Sequence, residues 1–238
     1  MKGSAILLKL ESSDEKVHRY ADEICQSADS SADLVRQLLS FARKGNTRAT
    51  SVDVHEVVTT VFEMLTRSID KRIRLESSLE AETSAVVGDP TQLQSALLNL
   101  GLNARDAMPH GGCISVRTRL LDFSEASLPE LRVTVPPGTY LHLEFSDTGT
   151  GIEPESLGLV FEPFFTTKPH GEGVGLGLAA VYGTVKAHSG FITVRSEDQG
   201  TTFDIYLPLA STLVAPMPGA NEQATSTATR LQIGRAHV

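Results

Sequence analysis

Cysteine is scarce in this chain of 238 residues, and its two cysteines lie far apart. Cys25 and Cys113 form no CxxC pair and no Cys/His cluster, which argues against a structural zinc site or a disulfide framework. Long apolar runs are also lacking, and the first residues have neither the basic start nor the apolar core of a signal peptide. We therefore expect a cytoplasmic segment without membrane contact, whether or not a parent protein is membrane-tethered.

Clustered positive charge is missing as well. The formal net charge is -8 at pH 7, and Lys and Arg form no patch of the kind that phosphate backbones require, so nucleic acid is not an expected partner. What is present is ordinary: a 40% hydrophobic composition can build the core of one domain or of two small ones. After Leu209 the composition changes to Ala, Ser, Thr and Pro, which is typical of a linker over residues 210–238.

The N-terminal 45 residues have the pattern of two helices. GSAILLKLE is read as the end of one helix, which turns through SSDE into a long amphipathic helix from about Lys16 to Lys44, ended by Gly45. The apolar stripe of the long helix is wide, and so short a helical pair cannot bury it alone. We therefore expect a homodimer through these helices, the alternative being that the helix packs on its own domain.

A polar linker, residues 46–51, separates these helices from a mixed pattern. Helical periodicity predicts three helices: Val52–Leu65, Asp89–Met108 with Asp89 or Thr91 as its cap, and Leu176–Ala187. Strand patterns are seen at Arg72–Ser78, Cys113–Leu121, Leu141–Asp147, Phe191–Ser196 and Thr202–Leu207. The fold class predicted is α+β: a two-layer α/β sandwich over residues 52–209, with helices on one face of the sheet.

The stretch LHLEFSDTGTGIEP places a carboxylate where an apolar residue is expected. Strand alternation turns three apolar residues inward, Leu141, Leu143 and Phe145, and turns His142, Glu144 and Ser146 towards water. Asp147 falls on the inward set. A buried carboxylate is costly unless something donates hydrogen bonds to it, and Gly149 and Gly151 follow at once, as expected where a ligand approaches the backbone closely.

Asn99 and Asn103 lie four residues apart on the helix LQSALLNLGLNARDAM, so both amides share one side of it. They are either harmless, partly exposed amides or oxygen ligands for a hard cation such as magnesium. The glycine-rich segment HGEGVGLGLAAVYG precedes another helix and suits phosphate. It is neither a P-loop nor a GxGxxG fingerprint, because no GK[ST] follows and no strand leads directly into it.

The segment FEPFFTTK lies between the two glycine-rich stretches. Its phenylalanines, Phe161, Phe164 and Phe165, can anchor the segment while Thr166, Thr167 and Lys168 reach phosphate oxygens, as expected of a mobile lid. The alternative is a turn at the edge of the core with a solvated lysine.

Five motifs taken in order resemble one family. NLGLNARDAM, DTGTGI, FEPFFTTK, GVGLGL and GTTFDIYLP resemble the N, G1, F and G2 boxes and the final strand of the ATP-binding domain of sensor histidine kinases, within the ATPase superfamily of gyrase, the ninety-kilodalton heat-shock chaperone and MutL. The match spans about Val52 to Pro208. Its details look most like kinases of the nitrogen-regulation or hybrid type, and it implies the Bergerat-type ATP-binding fold with a mixed, mostly antiparallel sheet.

The resemblance implies roles for single residues. Asp147 would accept a hydrogen bond from the adenine amine, Asn103 would hold Mg²⁺ and the phosphates, and Asn99 would occupy the position where related ATPases often place a catalytic glutamate. The full ATP-binding set implied is Asn99, Asn103, Asp147, Gly149, Gly151, Thr167, Lys168, Gly173, Val174, Gly175, Leu176, Gly177, Leu178 and Thr201. The cofactors implied are ATP and Mg²⁺.

Two positions depart from the family pattern. Asp106 stands three residues after Asn103, where many of these kinases carry Lys or Arg, so a basic phosphate contact comes from Arg105, from Lys168 or from no residue. In addition, residues 1–45 resemble the end of the dimerisation and phosphotransfer hairpin, yet none of the seven histidines fits the phospho-acceptor. We expect the phospho-acceptor histidine to lie upstream of Met1. We also expect a hybrid parent protein, in which LQIGRAHV is the beginning of a receiver domain.

Two functions remain open at this point. In the first, the chain is the catalytic part of a histidine kinase, which directs the ATP γ-phosphate to a histidine on the hairpin and from there to an aspartate of a response-regulator receiver domain. In the second, it is a nucleotide-binding pseudokinase or a dimerisation scaffold. The intact glycines, Asn103 and Asp147 favour the kinase. Asp106 departs from the family pattern and is compatible with the second hypothesis.

Overall fold

The computed structural model describes residues 2–12, 14–22, 24–25, 50–123, 127–128, 133–134, 136–168, 174–196 and 200–210. The helices are α1 (Lys2–Glu11), α2 (Val54–Ser68), α3 (Pro90–Ala107) and α4 (Gly177–Ala187), and residues 15–22 and 24–25 are also helical. The strands are β1 (Thr50–Asp53), β2 (Ile73–Leu79), β3 (Ala85–Gly88), β4 (Gly112–Phe123), β5 (Ser127–Leu128), β6 (Val133–Thr134), β7 (Gly138–Asp147), β8 (Phe191–Ser196) and β9 (Thr201–Pro208). The rest of the predicted long helix, residues 26–44, and the predicted linker, residues 211–238, lie outside the described residues.

The main sheet has five strands in the order β2-β4-β7-β9-β8. β2 runs parallel to β4, and the other neighbours are antiparallel. Apolar side chains of α2, α3 and α4 share one buried core with the sheet, including Val61, Leu100, Val181, Leu143 and Phe145. Helices therefore cover one face of a mixed, mostly antiparallel sheet, and the predicted two-layer α+β sandwich is confirmed.

Helix α3 starts as its sequence predicts. The Asp89 side chain accepts the backbone N–H of Thr91 at 2.8 Å and that of Gln92 at 3.4 Å, so Asp89 rather than Thr91 is the cap. Pro90 occupies the first turn, where its missing N–H removes no helical bond. The helix thus has a fixed beginning, which also fixes the positions of the two asparagines along it.

His188 connects the start of α3 to the end of α4. Its Nδ1 lies 2.8 Å from the carbonyl of Thr184, to which it donates, and its Nε2 accepts the backbone N–H of Asp89 at 3.0 Å. The ring is buried and lies directly against Gly88, where an added Cβ would be 2.0 Å from Cδ2. This contact holds the two helices that flank the candidate site in a fixed relation.

The secondary structure of residues 50–53, just before α2, differs from the prediction. Thr50–Asp53 pairs with Ala85–Gly88 as a small antiparallel sheet, where the sequence indicated the end of a linker and the beginning of a helix. Helix α2 instead begins at Val54, because the Asp53 side chain accepts the backbone N–H of His55 at 2.8 Å and caps it.

His142 is buried, and the expectation that it faces water is wrong. It is 2% exposed, although strand alternation correctly places it on the face opposite the helices. Arg119 donates from Nε to His142 Nδ1 at 3.0 Å, and Asp204 accepts from His142 Nε2 at 2.8 Å. Tyr206 stacks on the imidazole with ring centroids 4.7 Å apart. Long side chains of the neighbouring strands thus cover this position, which alternation alone cannot reveal.

The N-terminal helical residues form a pair, as predicted. Lys9 of α1 contacts Asp22 at 2.6 Å, and Ala5 and Ala21 are each 1% exposed. Several larger apolar side chains remain exposed: Ile6, Leu7, Leu8, Tyr20 and Ile24. Among the residues that the structure describes, no helix is long and apolar enough to cross a membrane.

Candidate functional site

The carboxylate of Asp147 lies at the end of β7 and is 8% exposed. Its Oδ1 accepts the backbone N–H of Gly149 at 2.8 Å, and the backbone of Thr201 in the neighbouring strand β9 donates a second hydrogen bond. Burial raises the pKa of Asp147 above its usual value, and these two donors oppose that rise without cancelling it. A carboxylate has about four acceptor positions, so this group retains capacity for a further donor.

Gly149 allows the turn after Asp147 to pack against the end of α3. A Cβ added at Gly149 would lie 2.7 Å from the Cβ of Ala107, 2.8 Å from its carbonyl oxygen and 2.9 Å from Asp147 Oδ1. The next residue, Thr150, donates its N–H to the same carbonyl at 3.1 Å. Gly151 has φ 75°, a left-handed conformation that glycine adopts without strain. The glycines after Asp147 are therefore required by close packing and by backbone conformation.

One of the two asparagines of α3, Asn103, lies near the beginning of α4. Both side chains are half-buried, and Asn103 Nδ2 is 3.8 Å from the position that a Cβ on Gly177 would take. Gly177 is the first residue of α4, so the Asn103 amide lies beside a helix N-terminus whose free N–H groups attract anions. The N and G2 motifs, far apart in sequence, thus meet at one surface.

The FEPFFTTK segment, residues Phe161–Lys168, is joined to the same surface through Gly175. The N–H of Phe164 donates to the Gly175 carbonyl at 2.9 Å. Gly175 has φ 69°, and a Cβ there would lie 2.4 Å from the carbonyl carbon of Phe164. Only glycine fits this crossing, because both its conformation and its space exclude a side chain.

The three phenylalanines do not act alike. Phe161 is half-buried and packs against Tyr182 and Phe203, with centroids 5.6 and 6.4 Å away, and Phe165 is also half-buried. Phe164 is 66% exposed, so the expectation that it anchors the segment is wrong. Its positive φ of 69° directs the side chain away from the core, in a conformation that costs a non-glycine residue free energy.

Asp106 is bonded to both basic residues that were candidates for a phosphate contact. Its Oδ1 accepts from Arg105 at 2.6 and 2.8 Å, and its Oδ2 accepts from Lys168 at 2.5 Å. Partial burial raises the pKa of Asp106, but the hydrogen bonds from Lys168 and Arg105 outweigh this, so the net shift is downward. No sequence signal predicts the bond to Lys168, since the two residues are 62 positions apart.

The remaining residues of the predicted set lie on or near this surface, with one outside the described residues. Thr166 and Thr167 are exposed beside Lys168, Val174 is exposed, and Leu176 and Leu178 pack inward below the glycine turn. Thr201 is buried next to Asp147 in the strand register. Gly173 lies outside the described residues.

The chain is similar to known proteins over most of its length. Residues 88–211, just over half of the chain, match the family described as Histidine kinase-, DNA gyrase B-, and HSP90-like ATPase. The chain is 43% identical over 199 residues to the sensor kinase CckA of Brucella abortus (strain 2308), covering 80% of this chain and 21% of CckA. It is 31% identical over 194 residues to the sensor histidine kinase ZraS of Salmonella typhimurium (strain LT2), covering 81% of this chain and 38% of ZraS. The chain thus spans only a minor part of these relatives.

Solved structures give the same result. The mycobacterial sensor histidine kinase MprB is 32% identical, with a TM-score of 0.53 over 67% of this chain and 97% of that one. The histidine kinase ThkA, solved in complex with the response regulator protein TrrA, has a TM-score of 0.63 at 22% identity over 87% of this chain and 55% of that one. The second likeness concerns the fold alone.

We predict that Gly149→Ala is destabilising and that Gly158→Ala is not. The Cβ at residue 149 would collide with Ala107 and Asp147, and relieving that overlap should cost about 1–3 kcal/mol. A Cβ at residue 158 would meet nothing within 4 Å, which makes that variant a matched control. Thermal unfolding followed by calorimetry measures both changes, and an equal midpoint for the two variants would contradict the packing described for Gly149.

Proposed function

The chain belongs to the histidine kinase-, DNA gyrase B- and HSP90-like ATPase family and carries the ATP-binding catalytic domain of a sensor histidine kinase, and from this premise we propose how its residues bind ATP and use it. The observation that carries the proposal is a set of contacts that joins five separate sequence motifs. Asp147 bonds Gly149 and pairs with Thr201, and Gly149 packs on Ala107 at the end of α3. Lys168 bonds Asp106 of α3, and the N–H of Phe164 bonds the carbonyl of Gly175. No single motif is specific, but their meeting at one surface is what a nucleotide site requires.

Asp147 recognises the adenine base. Its carboxylate is a charged acceptor with two backbone donors and remaining capacity, and the exocyclic amine of adenine supplies N–H donors of the right kind. Gly149 and Gly151 let the backbone pass close to the base, and Thr201 lies beside Asp147 in the adjacent strand. Guanine presents a carbonyl oxygen where adenine has its amine, so the same carboxylate disfavours guanine nucleotides.

The phosphates lie between α3 and the start of α4. Asn103 and the N–H groups around Gly175 and Gly177 line this region. The Lys168 ammonium can donate a charge-assisted hydrogen bond to a phosphate oxygen. Leu176 and Leu178 pack inward below the glycine turn, while Val174 is exposed beside it and Gly173 precedes it in the sequence. Thr167 is exposed beside Lys168 and reaches the same side.

Magnesium fits this site as an ion delivered with the nucleotide. Mg²⁺ favours oxygen ligands and keeps water and phosphate oxygens in its shell, and the Asn103 amide oxygen provides one protein ligand of this type. Among the described residues, no group of three or more His, Cys, Asp or Glu could hold a metal by itself. A bound Mg²⁺ would neutralise the negative charge of the phosphates, including the charge that develops on the leaving ADP.

The reaction proposed is transfer of the γ-phosphoryl group to a histidine imidazole. The nitrogen lone pair forms the P–N bond while the bond from the γ-phosphorus to the bridging oxygen breaks and ADP leaves. The protein contributes orientation and charge stabilisation. Asn99 lies one turn before Asn103, and because an amide does not accept a proton, we assign it an orienting role rather than that of a general base.

The domain division follows from the same proposal. Residues 1–45 belong to a dimerisation and phosphotransfer hairpin, and residues 46–49 connect it to the nucleotide domain, which begins with strand β1 at Thr50 and extends to residue 209. Residues 210–238 are a linker. The histidine acceptor belongs to the hairpin of the whole protein, and an aspartate of a response-regulator receiver domain then takes the phosphoryl group. The names of the relatives CckA and ZraS, both sensor kinases, support the kinase part of this proposal, and the solved complex of ThkA with a response regulator supports the partner.

The exposed apolar face of the N-terminal helices is where a second copy binds. Ile6, Leu7, Leu8, Tyr20 and Ile24 are all more than 40% exposed, and this many exposed large apolar side chains on one helical pair supports a protein interface there. A second copy presents the same face, as a two-fold dimer requires.

The pseudokinase alternative rests on Asp106 alone. This carboxylate accepts hydrogen bonds from Lys168 and Arg105. These two cations are then not free to bind the phosphates. A nucleotide-binding pseudokinase would bind ATP without transferring its γ-phosphoryl group, whereas a dimerisation scaffold would not bind ATP. Titration of the wild type therefore tests the scaffold, and a phosphotransfer assay with the acceptor histidine of the whole protein separates the kinase from the pseudokinase.

We predict that Asp147→Asn weakens ATP binding roughly tenfold to a hundredfold, because a charged acceptor facing the adenine amine is lost. The apo variant should be no less stable at pH 7. Burial raises the folded-state pKa of Asp147, so its ionisation lowers stability as pH rises through that window, and the neutral amide avoids this cost. Calorimetric titration and thermal unfolding measure both effects.

The matched control for that experiment is Asp122→Asn. Asp122 is exposed, bonds Thr139 at 2.6 Å and lies at the opposite end of β7 from Asp147. The control should bind ATP like the wild type. Unchanged ATP affinity in the folded Asp147→Asn variant would remove Asp147 from the adenine site.

A second prediction concerns assembly. Leu7→Glu should shift the chain from dimer to monomer in sedimentation velocity, because it places a charge in the proposed interface. Leu159→Glu, the same change at a residue 46% exposed in the nucleotide domain, should leave the dimer intact. A dimer of equal strength in both variants would contradict an interface through α1.

A further inference from the structure

One ion-pair cluster near the proposed phosphate region is not explained by the function above. The carboxylate of Asp106 lies between two cations, 2.6 Å from Arg105 Nη2 and 2.5 Å from Lys168 Nζ. All three side chains are between 32% and 39% exposed. The cluster is therefore accessible to a ligand from solvent.

The cluster joins two elements of the ATP site. Asp106 follows Asn103 by three residues, so both side chains lie on the same side of α3, one turn apart. Lys168 ends the Phe161–Lys168 segment, whose backbone is bonded to Gly175. The bond between Asp106 and Lys168 thus links α3 to that segment immediately beside the residues assigned to the phosphates.

We propose that Asp106 is the resting partner of Lys168 and Arg105, and that the phosphates of a nucleoside triphosphate displace it. In the nucleotide-free protein the carboxylate neutralises one of the two positive charges. When the polyphosphate binds, Lys168 exchanges the carboxylate for a phosphate oxygen. Asp106 therefore opposes triphosphate binding specifically, and couples the position of the Phe161–Lys168 segment to the number of phosphates bound. This inference rests on the ATP-binding function proposed above.

The energetics favour such an exchange. An ion pair this exposed contributes little to stability, because water screens it and two long side chains must be ordered. A polyphosphate carries several negative charges and accepts charge-assisted hydrogen bonds from Lys and Arg. The pKa of Asp106 is lowered by its two cations, so the exchange at neutral pH is between ion pairs and involves no protonation of Asp106.

The test is titration of the full chain, with and without Mg²⁺, using ATP, ADP and adenosine as probes. Asp106→Asn should lower the Kd for ATP roughly three- to tenfold at low salt, because one unit of repulsion about a helical turn away is removed. The gain should be smaller for ADP and absent for adenosine, and it should shrink as salt is added. Asp122→Asn, the same change in charge at the far end of β7, should alter none of these affinities.

A double-mutant cycle tests the exchange of Lys168. Lys168→Ala should weaken ATP binding, and in that background Asp106→Asn should give a clearly smaller gain than in the wild type. An equal gain in both backgrounds would overturn the exchange, because Asp106 would then act by simple repulsion. Weaker ATP binding in Asp106→Asn, above all only with Mg²⁺, would also overturn it, since Asp106 would then assist the bound phosphates or metal.

The outcome separates this inference from the proposed function. If Asp147→Asn weakens both ATP and adenosine binding as predicted while Asp106→Asn changes no affinity, the ATP site stands and the role of Asp106 is rejected. If Asp147→Asn binds both ligands normally, the adenine site is wrong and the argument for Asp106 falls with it.

Discussion

The candidate site depends on keeping an ionised carboxylate in a largely buried position. Asp147 lies inside the domain at the end of a central strand, where desolvation raises its pKa, and two backbone donors, from Gly149 and Thr201, partly compensate. The Gly149 donor is positioned by its packing within contact distance of Ala107 at the end of α3, and the Thr201 donor by the pairing of β7 with β9. The turn, the end of α3 and the start of β9 are therefore determined together. A group that is costly to bury and incompletely compensated is better satisfied by a ligand than by the empty protein.

A second carboxylate nearby is in the opposite situation. Asp106 is accessible and bonded to two cations, and its pKa is lowered rather than raised. Asp147 is thus a buried acceptor suited to an uncharged amine, whereas Asp106 occupies cations that phosphate oxygens also bind. The affinity for a nucleotide then depends on two interactions. Asp147 binds the base, and the phosphates compete with Asp106 for Lys168.

Much of the fold could be predicted from the sequence because local signals agree with tertiary structure. The cap at Asp89, the helix that follows it and the alternation in β7 are all local, and alternation alone placed Asp147 on the inner face. The same alternation failed for His142, since it assigns a face of the sheet but not what covers that face. Arg119, Asp204 and Tyr206 come from other strands, and their approach depends on strand order.

The members of the candidate site are predictions from sequence motifs, whereas the contacts among them are seen only in the structure. The motifs named Asn103, Asp147 and the glycines in advance, because each residue type suits its proposed chemistry. The bond between Asp106 and Lys168 joins residues 62 positions apart, and the exposure of Phe164 follows from a backbone conformation that its own sequence does not require. Both arise from how the Phe161–Lys168 segment crosses Gly175, which is a tertiary property.

The most direct test of the account compares ATP with N6,N6-dimethyl-ATP by calorimetric titration of the wild-type chain. The two ligands have the same phosphates, so only the donors of the adenine amine differ. If Asp147 accepts from that amine, the dimethyl analogue should bind at least roughly tenfold more weakly, because the carboxylate loses its partner. Equal affinity for the two nucleotides would contradict the account, since the buried carboxylate would then not read the base.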